Sequence, residues 1–147
     1  MKICIYGAGA IGGWMGARLA RAGHDISVIA RGATLAALRE NGLQLVEDGK
    51  TTTATVVASG NSADLGPQDI VIVAVKAPAM ASVAAGIAPL LTKDTTVITA
   101  MNGVPWWFCD GLGGGLAGTR LTSVDPDGSI AAAIPSAQTA GCVVHAS

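Results

Sequence analysis

The chain has 147 residues, half of them hydrophobic and only 13% charged, so it suits one domain with a real core and leaves little room for disorder. A formal net charge of -1 argues against a nucleic-acid or acidic-membrane partner. The longest apolar stretch, residues 77–91, is broken by Pro78, Ser82, Gly86 and Pro89, so no membrane span is expected.

The first dozen residues carry the most information. Residues 2–6 are an apolar strand candidate. Gly7-Ala8-Gly9-Ala10-Ile11-Gly12 is a G-x-G-x-x-G turn, and a helix is expected to follow without a gap. That context marks a dinucleotide fingerprint. Gly7 permits the tight turn, Gly9 lets backbone approach a pyrophosphate, and Gly12 lets helix and strand pack closely. The phosphates would rest on free N–H groups at the positive helix end. A secretory signal fits poorly, because glycines at 7, 9, 12, 13 and 16 weaken an apolar helix and Arg18 and Arg21 follow.

Gly23 is placed to end the first helix, and residues 25–30 read as a second strand. Leu35 and Leu38 predict a helix over 33–41, closed by Asn41-Gly42. Residues 43–46 and 51–58 then face each other across Glu47-Asp48-Gly49-Lys50 as an expected hairpin or pair of short strands. Residues 59–68 form a polar connection. The run 70–75 is apolar on both faces, as a central parallel strand should be. A helix over 79–88 and a strand over 95–100 follow.

Beyond Gly103 the rhythm fades. Pro105 suggests a short helix carrying Trp106, Trp107 and Phe108, and residues 111–118 suggest a glycine-rich loop. Asp125-Pro126-Asp127-Gly128 is a strong turn signal, with 121–124 and 129–133 as expected hairpin arms. Residues 139–146 predict one more strand. The fold class is therefore α/β, a Rossmann-type doubly wound, mostly parallel sheet with helices on both faces and right-handed crossovers. Such a sheet would normally continue past Ser147, so residues 1–147 are expected to be a truncated dinucleotide-binding domain.

Three cysteines, Cys4, Cys109 and Cys142, show neither short pairing nor metal-ligand spacing; no metal site is expected and a reducing cytoplasm fits. The second strand ends Ile29-Ala30-Arg31-Gly32, without the carboxylate that would bond a ribose 2′-hydroxyl. Arg31 instead offers a fork of donors for a 2′-phosphate, so NADP is expected over NAD. Lys76 follows the central strand and Asn102 the next one, both at carboxyl ends, where ligands bind in such sheets. The Asn102 amide is suited to donate to a carbonyl or hydroxyl beside the nicotinamide. His24 reads as structural and His145 as a core or cofactor-edge residue. Trp106 and Trp107 suit a substrate mouth, a core cover or a domain contact equally.

Taken together, these residues resemble the N-terminal domain of the ketopantoate reductase (2-dehydropantoate 2-reductase) family. The resemblance rests on residues 5–13, Arg31-Gly32, Val75-Lys76 and Asn102-Gly103-Val104-Pro105-Trp106-Trp107, and is extended by 123–128 and 141–146. It implies NADPH-dependent reduction of 2-dehydropantoate to pantoate, on the route to pantothenate. It also implies cofactor contacts from Gly7, Ala8, Gly9, Ala10, Ile11, Gly12, Arg31, Lys76, Asn102 and Ser147, with Asn102 touching substrate too. The family's lysine general acid and substrate-gripping residues belong to a helical C-terminal domain that has no counterpart in these residues, as would a homodimer contact. The chain alone is therefore expected to bind NADP with little turnover. The alternatives are the cofactor domain of another NADP-linked 2-oxo acid or ketone reductase, and a non-catalytic NADP-binding or sensor module.

Overall fold

The computed structural model describes residues 1–145. In chain order the elements are β1 (Lys2–Tyr6), α1 (Ala10–Arg21), β2 (Asp25–Ile29), α2 (Gly32–Asn41), β3 (Leu43–Glu47), β4 (Lys50–Ala54), β5 (Val57–Ser59), β6 (Ile70–Val73), α3 (Met80–Gly86), β7 (Thr96–Ala100), α4 (Ser129–Ala133) and β8 (Thr139–Cys142), with short 3-10 turns between them. Six strands form one parallel sheet in the order β5-β2-β1-β6-β7-β8, while β3 and β4 make a separate antiparallel pair. The chain winds outward from β1 through β2 to β5, then crosses back to β6 on the other side of β1. The carboxyl ends of β1 and β6 therefore open onto a cleft, the switch point of a doubly wound sheet.

Strand alternation sends side chains to two cores. Ile3 and Ile5 of β1, with Ile26, Val28 and Ile72, pack beneath α1 and α2 with Ala17 and Leu38. Cys4 and Tyr6, with Val71, Val73 and Val97, meet Met80, Val83 and Ile87 on the α3 face, joined by Ile130 and Ile134. Burial on both faces explains why β6 is written in β-branched residues throughout. Cys4 is buried deeply enough that desolvation pushes its thiol up to about 11, which makes it packing rather than chemistry. Cys4, Cys109 and Cys142 are all free thiols. Among the described residues no helix is long and apolar enough to cross a membrane, and no group of His, Cys, Asp or Glu could hold a metal ion.

Three local expectations change. The hairpin turns at Asp48 and Gly49, both at positive φ, but its second arm ends at Ala54 rather than 58. The register pairs Glu47 with Lys50 and Leu43 with Ala54, so the first arm is used up there; Val57–Ser59 leaves to pair in parallel with Ser27–Ile29 at the sheet edge. Pro105 begins isolated turns rather than a helix, with Phe108 N–H on the Pro105 carbonyl and Asp110 N–H on the Trp107 carbonyl. Gly111 and the glycines at 113–115 follow too soon for a costly helical nucleus to propagate.

The third change is the segment after the Asp-Pro-Asp-Gly turn, which forms no hairpin. Residues 121–124 are turns and Ser129–Ala133 is α4. Ala131–Ala133 favours helix, and Ile130 and Ile134, four apart, both enter the core. Asp125, 1% exposed, accepts from the N–H groups of Ile130 at 3.1 Å and Ala131 at 3.0 Å, and Asp127 accepts from Ser129 N–H at 3.0 Å. These carboxylates satisfy helix-end donors that would otherwise be stranded. Asp125→Ala should lower unfolding stability by about 1–3 kcal/mol in urea titration, and Asp127→Ala by well under half as much. Equal losses would show that the buried cap is not what holds α4.

Candidate functional site

Two cavities open along the carboxyl edge of the sheet. The smaller, about 290 Å³, lies at the switch point and is lined by Gly7, Ala8 and Gly9 after β1, by Ile29, Ala30 and Arg31 at the end of β2, and by Thr34, Val75, Ala79 and Ser82 among others. Among the described residues no carboxylate lines it. The larger, about 700 Å³, lies beyond β6, β7 and β8 and includes Met101, Asn102, Trp106, Trp107, Asp127 and Val143 in its walls.

The glycine turn builds the smaller cavity by close approach. Gly7 has φ +102, and a Cβ there would lie 2.6 Å from Val75 Cγ1. A Cβ on Gly12 would lie 2.0 Å from the Gly7 carbonyl oxygen and 3.0 Å from both Ala74 Cβ and Ile5 Cγ2. Gly9 differs: a Cβ there would meet nothing within 4 Å, because it faces open space at the helix end. The first intrahelical bond runs from Gly13 N–H to the Gly9 carbonyl at 2.8 Å, so the N–H groups of Ala10, Ile11 and Gly12 have no intrahelical acceptor. The first turn of α1 holds no acidic residue and Gly9 offers no side-chain cap, which leaves the positive helix end uncompensated and suited to an anion.

Arg31 leaves the tip of β2 and crosses the cavity, where its Nη2 donates to the Ser82 hydroxyl of α3 at 2.7 Å. Tyr6, at the tip of β1, stands beside the same guanidinium. Burial lifts its phenol above the ordinary range, and the Arg31 charge and hydrogen bond pull partly against that. Ser82 and Thr34 carry no motif, and reading the sequence alone overlooks them; Tyr6 lies in the stretch that carries the resemblance, but nothing there marks its place beside Arg31. Ser82 offered one signal, as the single polar side chain in the otherwise apolar segment 79–88.

Lys76 is exposed, between Val75 in the wall of the smaller cavity and Ala77 in the wall of the larger. The Asn102 amide is largely occupied. Its Nδ2 donates to the Val144 carbonyl at 3.0 Å and its Oδ1 accepts from Val144 N–H at 2.8 Å, imitating one more rung of the β7–β8 pairing. One Nδ2 hydrogen remains for the cavity that Asn102 lines. His24 lies in the connection between α1 and β2, at the opposite sheet edge, and His145 is exposed beyond the end of β8 rather than within it. Ser147 lies outside the described residues.

In the larger cavity Trp107 packs over the sheet because Gly141 of β8 has no side chain; a Cβ there would lie 2.9 Å from the indole. The indole N–H groups of Trp106 and Trp107 are buried without an acceptor among the described residues. Asp127 is held below the ordinary carboxylate range by its bonds to Ser129. Among the described residues the ionisable side chains in this wall are thus carboxylates and the Cys142 thiol, with no cation among them.

The charge relation between Arg31 and Tyr6 has a direct readout, since Tyr6 is the only tyrosine. A phenol raised by burial supports the fold below its ordinary pKa, and that support is lost as pH climbs through the raised value. Arg31→Ala removes the opposing charge, so the phenol of the folded chain should ionise at still higher pH in an alkaline absorbance titration. A downward shift would place the guanidinium elsewhere.

Residues 3–105 match the family model described as ketopantoate reductase PanE/ApbA. A 2-dehydropantoate 2-reductase from Mesorhizobium japonicum is 50% identical over 146 residues, 99% of this chain and 45% of that protein. The crystal structure of a protein assigned as a ketopantoate reductase from Ralstonia solanacearum MolK2 is 62% identical, with a TM-score of 0.94 over 99% of this chain and 45% of that one. The ternary structure of a D-mandelate dehydrogenase with NADH and anilino(oxo)acetate is 31% identical, with a TM-score of 0.64 over 71% of this chain and 34% of that one. The chain thus spans less than half the length of each of these relatives.

Proposed function

Because the chain belongs to the ketopantoate reductase family, we propose that it is the NADP(H)-binding half of an oxidoreductase that reduces 2-dehydropantoate to pantoate. The observation that carries the reading is the uncompensated end of α1 beside open space at Gly9, with the Arg31 guanidinium across the same cleft. These residues fit a phosphorylated dinucleotide. The amides of Ala10, Ile11 and Gly12 would receive the pyrophosphate, Gly7, Ala8 and Gly9 would form its floor, and Arg31 would meet the 2′-phosphate. The bound cofactor supplies the hydride.

The larger cavity would take the nicotinamide end and the substrate. Its walls are mostly apolar and would shield the ring from water on the sides they cover, while the free hydrogen of Asn102 would orient a carbonyl and Lys76 would hold the cofactor between the two cavities. For proton delivery to the ketone, neither carboxylate of this wall is suited. Asp125 gives both oxygens to helix amides, and the bonds from Ser129 hold Asp127 below the ordinary carboxylate range, which favours its charged form. The reading therefore assigns the general acid and the grip on the substrate carboxylate to a second, helical domain of the whole enzyme.

A second reading is the cofactor domain of another reductase acting on a different ketone. It is favoured by the likeness to a D-mandelate dehydrogenase whose ternary structure holds NADH and anilino(oxo)acetate. Calorimetric titration with NADPH and NADH separates the cofactor question. The unaltered chain should prefer NADPH, and Arg31→Ala should weaken NADPH roughly 10- to 100-fold while leaving NADH nearly unchanged. Equal losses would refute the 2′-phosphate role.

The glycines offer a cleaner contrast. Gly9→Val places its side chain in open space, so the melting temperature should hold while NADPH binding is lost. Unchanged binding would discredit the phosphate turn. Mixed with NADPH and 2-dehydropantoate, this chain alone should oxidise cofactor at close to the background rate, and normal turnover would overturn the assignment of the acid to a second domain.

A further inference from the structure

We infer that Ser82 is a positioning residue for Arg31, holding the guanidinium across the smaller cleft and so setting the preference for a dinucleotide phosphorylated on its adenosine ribose. The inference rests on the reading of that cleft as the dinucleotide seat. It goes beyond that reading because Ser82 sits on the opposite wall, 51 residues further along the chain, and belongs to no fingerprint.

Arg31 begins in the link between β2 and α2, is exposed, and has a long side chain with many rotamers. Without a partner it would spread over the cleft mouth and would have to be ordered each time an anion arrived. The Ser82 hydroxyl fixes one end of it at 2.7 Å. The chemistry of that tether matters. A carboxylate in the same place would hold the arginine harder but would cancel its charge and repel a phosphate. A hydroxyl orients the guanidinium, leaves the charge whole, and occupies only one N–H of the planar fork. Tyr6 flanks the same group with a second neutral oxygen, and it fits because Gly86 has no side chain; a Cβ there would lie 2.9 Å from the phenol oxygen.

Packing gives no reason for a serine at this position. Met80, Val83, Ala84 and Ile87 supply the buried face of the helix, Ser82 is half-buried at its margin, and alanine is the better helix former. Ser82→Ala should therefore fold normally, which keeps the test open.

The experiment is calorimetric titration of NADPH and NADH into the unaltered chain, Ser82→Ala, Ser82→Thr, Arg31→Ala and the Arg31→Ala/Ser82→Ala pair. Ser82→Ala should weaken NADPH by about tenfold and NADH by less than about twofold. Ser82→Thr, which keeps the hydroxyl, should recover most of the loss, and the double variant should bind no worse than Arg31→Ala alone. Equal weakening of both nucleotides, unchanged NADPH affinity in Ser82→Ala, or additive losses in the double variant would overturn the positioning role while leaving the cofactor assignment intact. If the unaltered chain bound neither nucleotide, the reading of the cleft would fall, and this inference with it.

Discussion

The whole arrangement depends on one close approach, the start of α1 against the turn that follows β1. A single Cβ on Gly12 would lie 2.0 Å from the Gly7 carbonyl, so the contact cannot survive any side chain there without moving backbone. Gly16, one turn on, repeats the constraint against Leu43 and Ile5, where a Cβ would lie 2.9 and 3.1 Å away. Two helical turns are thereby pressed onto β1, which aims the free amides of Ala10, Ile11 and Gly12 at the switch point. The proposed anion seat would follow from packing, because a helix held further from the strand would lift those amides out of the cleft.

Once α1 is fixed, sheet order decides what surrounds its end. β2 lies on one side of β1 and β6 on the other, so Arg31 arrives from the left wall and Val75, Lys76 and α3 from the right. Residues far apart in sequence meet only because the winding reverses at β1. Arg31 and Ser82 become partners in this way, and Tyr6 comes to sense the guanidinium. The hairpin β3–β4 is tied down independently. Glu47 receives Arg18 and Arg21 from the outer face of α1, and Arg18 also lies over the Trp14 ring at 5.1 Å.

The legibility of the sequence tracks how local each constraint is. The fingerprint and the apolar central strands could be read directly, since a tight turn needs glycine and a doubly covered strand needs aliphatic side chains. The β5 edge strand was not legible, because its three residues earn their place by parallel pairing with β2, a contact 30 residues away. α4 was hidden by the turn before it: the Asp-Pro-Asp-Gly signal is genuine, yet Asp125 and Asp127 reach forward to cap a helix instead of folding the chain back. The spacing of Ile130 and Ile134 was the clue, outweighed by the turn. Asn102 and Arg31 were visible as positions at strand ends, but their partners Val144 and Ser82 were not, since side-chain bonds across the sheet leave no periodicity.

The two cavities differ in charge, and this bears on how the chemistry is divided. The smaller is lined by the glycine turn that leads into α1 and by a guanidinium, with no carboxylate among the described residues, a chemistry suited to an anion. The larger has Asp125 and Asp127 and no cation in its wall. The 2-oxo acid of the proposed reading would bring its own negative charge, and the cations near this wall are Lys76, beside Ala77, and Arg120, whose charge acts on Asp127. Asp125 is not free to change role, since both of its oxygens are needed where α4 begins. The fold thus separates two tasks by geometry. On the proposed reading, cofactor affinity would come from where the sheet reverses, from groups the sheet itself must position, while substrate charge would be met across the open side of the larger cavity.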